Sequence, residues 1–453
     1  MRVAVIGAGI VGVTTAYELG AEGHEVTVYE RRSTVAAETS FANAGLVAPG
    51  YVTPWAAPGM PLKVLRQLAS RHAAVRLHAG LDLGWGWRWW RACRPSTHQA
   101  NRLRLQRLAI FSRARLDELT GRLRLEYERR QGYLVLLRAR KDFEMVEPGL
   151  ATLTALGTRY AVLDAAQCHA IEPGLADETP LHAGIHLPDE VVGNCRQFAM
   201  LLRKEAARLG VRFQFETDVV GLAAGTQPRV LTHRAPRRVE IAAMPSDAEN
   251  GDGSSVPADS GWPDTQPFGT EPFNEAFDAI VVCAALGAKA LLHPLGIRLP
   301  MQAVYGYSVT APLRHDDADG IYGPRAALMD ERYKVAISRL GSRIRVAGSA
   351  ELGGAADRHD PRALATLYQV LADWFPGAAR LKDTQHWKGA RPMLPDGPPV
   401  LGPSGATGIW LNLGHGSSGW ALACGCARVL ADALSGRAAP IDTEGLGVER
   451  LLR

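Results

Sequence analysis

Three glycines and an acid near the N-terminus have the types and spacing that suit a dinucleotide pyrophosphate. Gly7, Gly9 and Gly12 follow the apolar run 2–6, and Glu30 ends a second apolar run. The first glycine permits a tight turn, the second lets a pyrophosphate approach the backbone, and the third lets a helix pack closely. An acid at the end of the second strand accepts hydrogen bonds from ribose hydroxyls. These residues predict dinucleotide binding and leave open which dinucleotide is bound.

A second glycine turn lies near the C-terminus. Gly414, His415 and Gly416 stand between a predicted strand, 409–412, and a predicted helix, 420–434. The N-terminus of that helix offers unpaired N–H groups and a partial positive charge to a second anionic centre. FAD has two such centres, its pyrophosphate and the pyrimidine edge of its reduced flavin. A nicotinamide needs no second helix, so the two turns together favour FAD.

The elements that must position these turns alternate between strand and helix. The pattern predicts strand 2–6, helix 13–19 and strand 25–29, which form a βαβ unit. A buried strand, 277–284, runs into a third turn that contains Gly287. Between these segments, helical pattern dominates from 62 to 128. Further strands are predicted at 132–137, 184–188, 304–310, 333–338 and 343–347.

The fold class that follows is α/β, with two discontinuous domains. A chain of 453 residues exceeds what one hydrophobic core usually holds. We predict a Rossmann-like FAD-binding domain of the glutathione-reductase type and a second, mixed-sheet substrate domain. The FAD-binding domain is assigned residues 1–48, 190–300 and 389–453, and the substrate domain residues 49–189 and 301–388. Residues 244–275 are poor in aliphatic side chains, and we expect them to be a disordered insertion without chemistry.

Composition narrows the class of protein further. The chain is 47% hydrophobic and 21% charged, as in ordinary globular proteins, and it contains no apolar run of about 18 residues. A strand begins directly after Met1, so we expect no signal peptide and a cytoplasmic location. The six cysteines are scattered without a CxxC pair, which indicates reduced thiols and no metal site.

Positive charge is concentrated in residues 51–130, which hold 16 Lys and Arg against 5 Asp and Glu. This basic segment could meet anionic lipid or nucleic acid, or it could be a solvated helical face. Within it, residues 85–91 bring four tryptophans together with Arg88 and Arg91. Such a cluster suits either a membrane interface or packing between domains, and the sequence leaves both readings open.

The motifs of this chain resemble those of the D-amino-acid oxidase superfamily of flavoproteins, and most closely those of its bacterial D-amino-acid dehydrogenases. The resemblance covers nearly the whole chain and departs in the polar insertion and in the lack of a long tail after Arg453. It rests on residues 5–12, Glu38-Thr39-Ser40, residues 42–45, Pro49-Gly50-Tyr51, residues 54–59, Gly306-Tyr307-Ser308, Tyr333-Lys334, Arg391-Pro392-Met393, Pro395-Asp396-Gly397 and residues 413–416.

The resemblance implies oxidation of a D-amino acid. In that chemistry the Cα hydrogen leaves as hydride to flavin N5, and the imine hydrolyses to a 2-oxo acid and ammonia. It also implies a quinone or other non-oxygen acceptor and peripheral contact with the cytoplasmic face of the inner membrane. We expect no nucleic-acid partner. The alternatives are an oxidase or dehydrogenase of imino or N-methyl amino acids (D-proline, hydroxyproline, sarcosine, glycine), a flavoprotein that binds nucleic acid, or a non-catalytic FAD-bearing scaffold.

Two sets of site residues follow. A planar guanidinium grips a carboxylate in bidentate fashion, so Arg391, in a stretch rich in breakers, is predicted to bind the substrate carboxylate. Tyr51, Tyr307 and Tyr333 are candidates to complete that grip. Lys334 is expected either to neutralise reduced flavin or to form an ion pair elsewhere. The predicted cofactor-binding residues are Gly7, Ala8, Gly9, Ile10, Val11, Gly12, Glu30, Arg31, Ser40, Asn43, Ala44, Gly45, Val219, Gly287, Gly414, His415 and Gly416.

Overall fold

The computed structural model describes residues 1–67, 72–234, 273–314 and 321–452, which form ten α-helices and nineteen strands. The helices are α1 Ile10–Ala21, α2 Met60–Gln67, α3 Leu83–Ala92, α4 Pro95–Leu123, α5 Arg140–Ala155, α6 Ala165–Ile171, α7 Cys195–Arg208, α8 Ala288–Leu292, α9 Pro361–Trp374 and α10 Gly419–Leu434. The strands are β1 Arg2–Ile6, β2 Glu25–Tyr29, β3 Leu46–Val47, β4 Val75–Leu77, β5 Arg130–Leu137, β6 Ala161–Leu163, β7 Ala183–Val192, β8 Arg212–Gln214, β9 Thr217–Ala223, β10 Arg229–Arg234, β11 Phe273–Ala276, β12 Ala279–Val282, β13 Gln302–Pro312, β14 Ala327–Asp330, β15 Val335–Leu340, β16 Arg343–Leu352, β17 Gln385–Met393, β18 Val400–Pro403 and β19 Ile409–Leu413.

A six-stranded sheet is built around β1. Its strand order is β18-β19-β12-β1-β2-β8, and every neighbouring pair is parallel except β18 and β19. Val3 and Val5 pack on one face against α1, α4, α7 and α10, whereas Ala4 and Ile6 pack on the other against α8. A strand buried on both faces reads as a continuous apolar run, which is why β1, the α1 helix and β2 could be predicted from sequence.

A ten-stranded mixed sheet forms the second layer. Its path is β17-β13-β16-β15-β14-β5-β7-β3, with β4 beside β16 and β6 beside β7. One face packs against α9, whose buried residues include Leu367, Val370 and Trp374. Helix α9 begins at Pro361 after Asp360, whose side chain accepts the Arg362 N–H at 2.8 Å, an ordinary N-terminal cap. On the opposite face, Tyr133, Val135 and Leu137 of β5 lie in one core with Leu153 of α5.

The predicted division into two domains stays a prediction. The packing of α4 concerns the assignment of residues 49–189 to the substrate domain. Although residues 95–123 fall in the segment predicted to be a substrate domain, Leu105, Leu108, Leu116 and Leu119 lie in the same core as α1 and α10. Helix α4 therefore contributes to the layer that carries the glycine turn.

Several sequence-based bounds were wrong in detail. The helical pattern predicted from 62 to 128 is interrupted by β4, and the loop predicted after residue 188 is largely the continuation of β7. Arg391 was predicted to lie in an irregular stretch, but it lies inside β17. The neighbouring Pro392 does not prevent this, because it stands near the end of the strand. Most of the predicted insertion lies outside the described residues, but residues 273–275 belong to β11, which pairs with β10.

The tryptophan cluster has a buried side and an exposed side. Trp85 is buried and donates its indole N–H to the Met393 carbonyl at 3.0 Å, and Trp89 stacks beside it. Trp87 and Trp90 are more than half exposed, on the other side of α3. No helix in the described ranges combines the length and apolar character needed to cross a bilayer.

All six cysteines are buried and free, so the expectation of reduced thiols is confirmed. Burial raises the pKa of Cys195 and Cys283 to about 12, which keeps both thiols protonated at neutral pH. The cysteines therefore act as small core side chains and not as nucleophiles.

A buried ion-pair cluster joins three helices beneath the glycine turn. The Glu18 carboxylate on α1 is fully buried, and both of its oxygens accept hydrogen bonds at 2.7 Å from Arg115 on α4. Arg428 on α10 lies 3.1 Å from the same carboxylate. Removing one partner of a buried ion pair leaves a desolvated charge, which is more costly than losing an exposed pair.

We expect Glu18→Ala to lower the free energy of unfolding by about 3 kcal/mol, because Arg115 and Arg428 would lose the fully buried anion that they share. They would keep only their more exposed partners Glu118, Glu22 and Asp432. The matched control is Glu25→Ala, which removes an exposed pair with Arg212 and should cost less than about 1 kcal/mol. Urea denaturation of both variants measures the difference. Equal losses in the two variants would contradict the assignment of Glu18 as a structural anchor.

Candidate functional site

The N-terminal glycine turn is packed too closely to accept side chains. Gly7 has φ +98° and donates its N–H to the Tyr29 carbonyl at 2.8 Å. A Cβ built on Gly12 would lie 1.8 Å from the Gly7 carbonyl oxygen. Both positions therefore require glycine, the first for its backbone conformation and the second for contact between helix and strand. The first-turn N–H groups of α1 point out of this turn without intrahelical partners.

Glu30 ties the end of β2 to that turn. Its Oε2 accepts the Ala8 N–H at 2.7 Å, and its Oε1 accepts the Arg32 N–H at 2.9 Å. The Glu30 carbonyl accepts the Thr217 N–H at 3.0 Å, so β9, which carries Val219, starts beside this acid. The predicted ribose-binding acid and Val219 are thus brought to one edge of the glycine turn.

Arg31 lies on the solvent side of this edge. Its guanidinium donates to both carboxylate oxygens of Glu38, at 2.7 and 2.8 Å, and Arg32 donates to the same carboxylate at 2.8 Å. Since these side chains are about half exposed, the pairs contribute little stability but fix the start of the segment that follows.

Residues 39–45, here called the crossing loop, run from the glycine turn to the ten-stranded sheet. Ser40 Oγ accepts the Ile10 N–H at 3.1 Å, which satisfies one first-turn amide of α1. At the other end, Gly45 has φ +77°, and its carbonyl accepts the Trp420 indole N–H of α10 at 3.1 Å. The loop therefore spans both layers and passes both helix N-termini.

Side chains of the ten-stranded sheet hold the backbone of the crossing loop. The Ser308 hydroxyl donates to the Ala42 carbonyl at 2.8 Å, and the Ser338 hydroxyl donates to the Ala44 carbonyl at 2.7 Å. The Arg345 guanidinium donates to the Asn43 carbonyl at 3.0 Å. These contacts were not predicted from sequence, because serines and arginines within strands carry no signal of what they bind. They keep the loop's carbonyls satisfied away from water.

The C-terminal glycine turn packs under the end of β17. Gly414 and Gly416 have φ +77° and +55°, and a Cβ on Gly416 would lie 2.5 Å from the Met393 sulfur. His415 between them is 5% exposed, and burial lowers its pKa to about 3, so its imidazole stays neutral at physiological pH. Its Nε2 is buried without a hydrogen-bond partner in the described part of the chain. A buried ring nitrogen of this kind is available to a polar group of a ligand.

A cavity of about 510 Å³ lies between the crossing loop and the ten-stranded sheet. Its wall includes the predicted cofactor residues Ile10, Ser40, Asn43, Ala44, Gly45 and Gly416. Among the described residues that line it there are four cations, Lys63, Arg332, Lys334 and Arg391, and no Asp or Glu. The field inside the cavity therefore favours an anion.

Arg391 carries a positive charge that no carboxylate among the described residues neutralises. In the described ranges it takes part in no ion pair, and its Nη1 donates to the Ser349 carbonyl at 2.8 Å. Desolvation lowers the pKa of Arg391 to about 10, which leaves it protonated at neutral pH. A Cβ on Gly306 would lie 2.2 Å from the guanidinium, so glycine at this position gives Arg391 its room across β13.

Tyr51 is the predicted tyrosine whose hydroxyl lies beside charged groups of the cavity. It donates to Glu331 Oε2 at 2.7 Å and accepts from Lys334 Nζ at 3.1 Å. Burial, then the neighbouring Glu331 charge, raises the pKa of Tyr51 well above its usual value, so the hydroxyl remains a donor.

Two predicted tyrosines have their rings placed elsewhere. Tyr307 contributes to the cavity wall, but its ring packs in the core toward α9, where its hydroxyl donates to Glu351 and accepts the Asp360 N–H at 3.0 Å. Side chains alternate across a strand, so Gly306 faces the cavity and Tyr307 the opposite side. The ring of Tyr333 lies under the Arg138 guanidinium, away from the cavity-lining residues. The Tyr307 hydroxyl is therefore engaged on the side of the sheet opposite the cavity, and the catalytic roles of Tyr307 and Tyr333 stay predictions.

The remaining predicted cofactor residues do not line this cavity: Gly7, Ala8, Gly9, Val11, Gly12, Glu30, Arg31, Val219, Gly287, Gly414 and His415. Gly287 follows β12 in a short turn, and the Cys283 carbonyl that precedes this turn lies 3.0 Å from where a Gly7 Cβ would stand. The three predicted turns are thus adjacent to the same cavity or to each other.

These residues fit FAD. The close-packed Gly7–Gly12 turn leaves backbone N–H groups for a pyrophosphate, Glu30 stands where a ribose would lie, and the His415 Nε2 and the α10 N-terminus offer donors to a second anionic centre. When bound, FAD supplies an acceptor for a hydride, and the chain itself supplies the cavity and its cations.

Comparison with known proteins decides the family. A model of the family described as "DAO: FAD dependent oxidoreductase" matches residues 2–433. The chain belongs to this family. FAD as the cofactor and the α/β fold class are thereby confirmed.

Similar DAO-family proteins include two named D-amino acid dehydrogenase. The protein from Cereibacter sphaeroides (strain ATCC 17023) is 40% identical over 457 residues, covering 99% of this chain and 95% of the relative. The protein from Rhizorhabdus wittichii is 40% identical over 456 residues, covering 99% and 100%. The crystal structure of glycine oxidase from Geobacillus kaustophilus shares the fold with a TM-score of 0.72 at 17% identity, covering 99% of each chain.

We expect Gly12→Ala to yield protein purified without bound flavin, because the added Cβ would push α1 off the Gly7 carbonyl and displace the cradle. The measurement is visible flavin absorbance per mole of protein, after reconstitution with excess FAD. The control is Gly121→Ala in α4, where a Cβ meets nothing within 4 Å and flavin content should match the wild type. Full flavin content in Gly12→Ala would show that the turn does not hold the cofactor.

Proposed function

We propose that this protein oxidises D-amino acids to 2-oxo acids and ammonia. The observation that carries the proposal is Arg391, a guanidinium without a carboxylate partner in the described residues, which lines the same cavity as the crossing loop. A buried cation without an anion is costly unless a ligand supplies the anion, and an amino acid supplies a carboxylate. The two relatives named D-amino acid dehydrogenase support the choice of substrate class.

In this proposal the chain's residues orient the substrate and protect the reaction. Arg391 holds the α-carboxylate, which fixes the position of Cα relative to the crossing loop. Apolar residues such as Trp55, Met60 and Val64 line the cavity and exclude water while the Cα–H bond breaks. With FAD bound as the hydride acceptor, loss of the Cα hydrogen with its electron pair would turn the neutral amine into an iminium. Water would then add to that carbon, and the nitrogen would leave as ammonium while the 2-oxo acid forms. No protein base is needed if the amine binds unprotonated.

The test is anaerobic bleaching of the flavin by D-alanine, L-alanine, D-proline and glycine in the purified holoenzyme. We expect D-alanine to reduce the flavin and L-alanine not to. Bleaching by D-proline or glycine alone would replace the proposal with an oxidation of imino acids or of glycine. A flavin that neither these four compounds nor any other D-amino acid reduces would indicate a non-catalytic scaffold.

The variant Arg391→Lys tests whether Arg391 binds the substrate carboxylate. Lysine keeps the positive charge but loses the planar fork, so we expect kcat/KM for D-alanine to fall by about 100-fold or more, mostly through KM. Arg343→Lys removes a comparable guanidinium that instead pairs with Glu128 at 2.8 Å and should change kcat/KM less than about threefold. Similar losses in both variants would argue against Arg391 as the carboxylate-binding residue.

We also propose that the electron acceptor is a quinone reached by peripheral contact with a membrane. Leu83, Trp87 and Trp90 lie on one face of α3 and are 83%, 56% and 55% exposed. Arg91 lies over the Trp87 ring at 4.7 Å, which places a cation beside this apolar face. Exposed tryptophan and leucine with neighbouring arginine suit the boundary of an anionic bilayer.

If this face docks, the holoenzyme should sediment with vesicles that contain anionic phospholipid. Trp87→Ser together with Trp90→Ser should reduce the bound fraction by about tenfold, because two large apolar side chains are removed from the contact. Leu209→Ser together with Val220→Ser removes two exposed apolar side chains on other elements and serves as the control. Equal binding of all three proteins would exclude α3 as the docking face.

A further inference from the structure

We propose that the cavity selects D-amino acids with an acidic side chain, and that Lys63 and Lys334 bind the side-chain carboxylate while Arg391 binds the α-carboxylate. The inference rests on the proposed function and names its substrate class more closely. It follows from the placement of three cations around one cavity, from the local backbone that positions two of them, and from the charge balance that they leave.

Arg391 and Lys334 flank the same two residues of β16. The Arg391 guanidinium reaches across Gly306 and donates to the Ser349 carbonyl at 2.8 Å. On the other side, a Cβ on Gly348 would lie 3.1 Å from the Lys334 carbonyl oxygen. In the sheet order β17-β13-β16-β15, Lys334 stands at the start of β15, next to the strand that the Arg391 guanidinium reaches. Both side chains line the same cavity, so one small molecule with two carboxylates can meet a cation at each of them.

The backbone at this place is held in an uncommon conformation. Lys334 has φ +53° and Ser349 has φ +60°, although neither is glycine. The pairing of β13 with β16 also shifts register between Tyr305 and Tyr307, beside these residues. Left-handed residues of this kind cost free energy and occur preferentially where a site needs a side chain or carbonyl in a particular direction. Here they direct the Lys334 ammonium and the Ser349 carbonyl toward the cavity.

The charge balance leaves a cation for a ligand. Lys334 is paired with Glu331, and Arg332 donates to Asp142 at 2.8 Å. Lys63 on α2 also lines the cavity and takes part in no ion pair in the described part of the chain. Desolvation, and then the like charge of Lys334, lower the pKa of Lys63, and the weaker influence of the Glu331 and Asp142 carboxylates opposes this shift. Two ammonium groups close enough to repel each other are stabilised by an anion placed between them.

The rest of the cavity wall agrees with this selection. The described lining residues include no Asp or Glu, so a basic substrate side chain would meet only like charge. A neutral side chain would form no ion pair with Lys63, which is exposed and would remain solvated. An acidic side chain is the class that satisfies both ends of the cavity at once.

The experiment compares D-glutamate with D-glutamine, which has the same shape without the second charge. We expect kcat/KM for flavin reduction to be at least about tenfold higher with D-glutamate, and the ratio between the two to fall by about tenfold in Lys63→Gln. Arg66→Gln removes a cation from the same helix at a position that does not line the cavity, and it should leave the ratio as in wild type.

A second readout needs no turnover. Glutarate carries both carboxylates but no amine, so the holoenzyme cannot deaminate it. Calorimetry should show that glutarate binds at least about tenfold more tightly than butyrate, and that Lys63→Gln removes most of this advantage.

The outcomes separate this inference from the proposed function. If D-alanine reduces the flavin but D-glutamate has no advantage over D-glutamine, the acidic selectivity is wrong and the function stands. If no D-amino acid reduces the flavin, the function fails and the inference fails with it. An advantage that persists unchanged in Lys63→Gln would overturn the assignment of Lys63.

Discussion

The cost of keeping a guanidinium unpaired beside a buried cavity is the constraint on which the rest of this site depends. Arg391 donates a hydrogen bond to one backbone carbonyl, and it pairs with no carboxylate among the described residues. Its room comes from Gly306, and its carbonyl partner comes from Ser349, which adopts a left-handed conformation. The ten-stranded sheet is therefore deformed where Arg391 crosses it. A fold that maintains such a site against its own stability retains it for a ligand.

The crossing loop transmits that constraint to the other layer. Its backbone is held by hydroxyls of Ser308 and Ser338 from the ten-stranded sheet and by the Trp420 indole from α10. Because the same loop also accepts at Ser40 the first-turn amide of α1, the glycine turn and the substrate cavity cannot move independently. The position of the cofactor cradle relative to Arg391 is thus set by hydrogen bonds between layers and not by one domain alone.

Sequence reasoning succeeded where a local pattern determines the structure. β1, the Gly7–Gly12 turn, β2 and Glu30 form a contiguous unit whose glycines have one conformational explanation each. It failed at Tyr307 because adjacent residues of a strand face opposite sides, and the sequence does not say which side holds the cavity. From the local sequence alone, a tyrosine next to a glycine such as Gly306 fits a ligand contact and a core position equally well. The role proposed for Lys63 was not predicted, because a lysine on a short helix is most often a solvated surface residue.

Strands β10 and β11 are paired although they are far apart in the chain. These strands are antiparallel neighbours, with Thr232 opposite Phe273, so the chain leaves and rejoins the three-stranded sheet at points about one strand spacing apart. Loop-closure entropy changes only logarithmically with length, and the flanking pairing is the same whatever stands between. The chain can therefore be shortened or lengthened here without altering the geometry of either glycine cradle. This is the place at which a reporter domain could be inserted with the least disturbance to the enzyme.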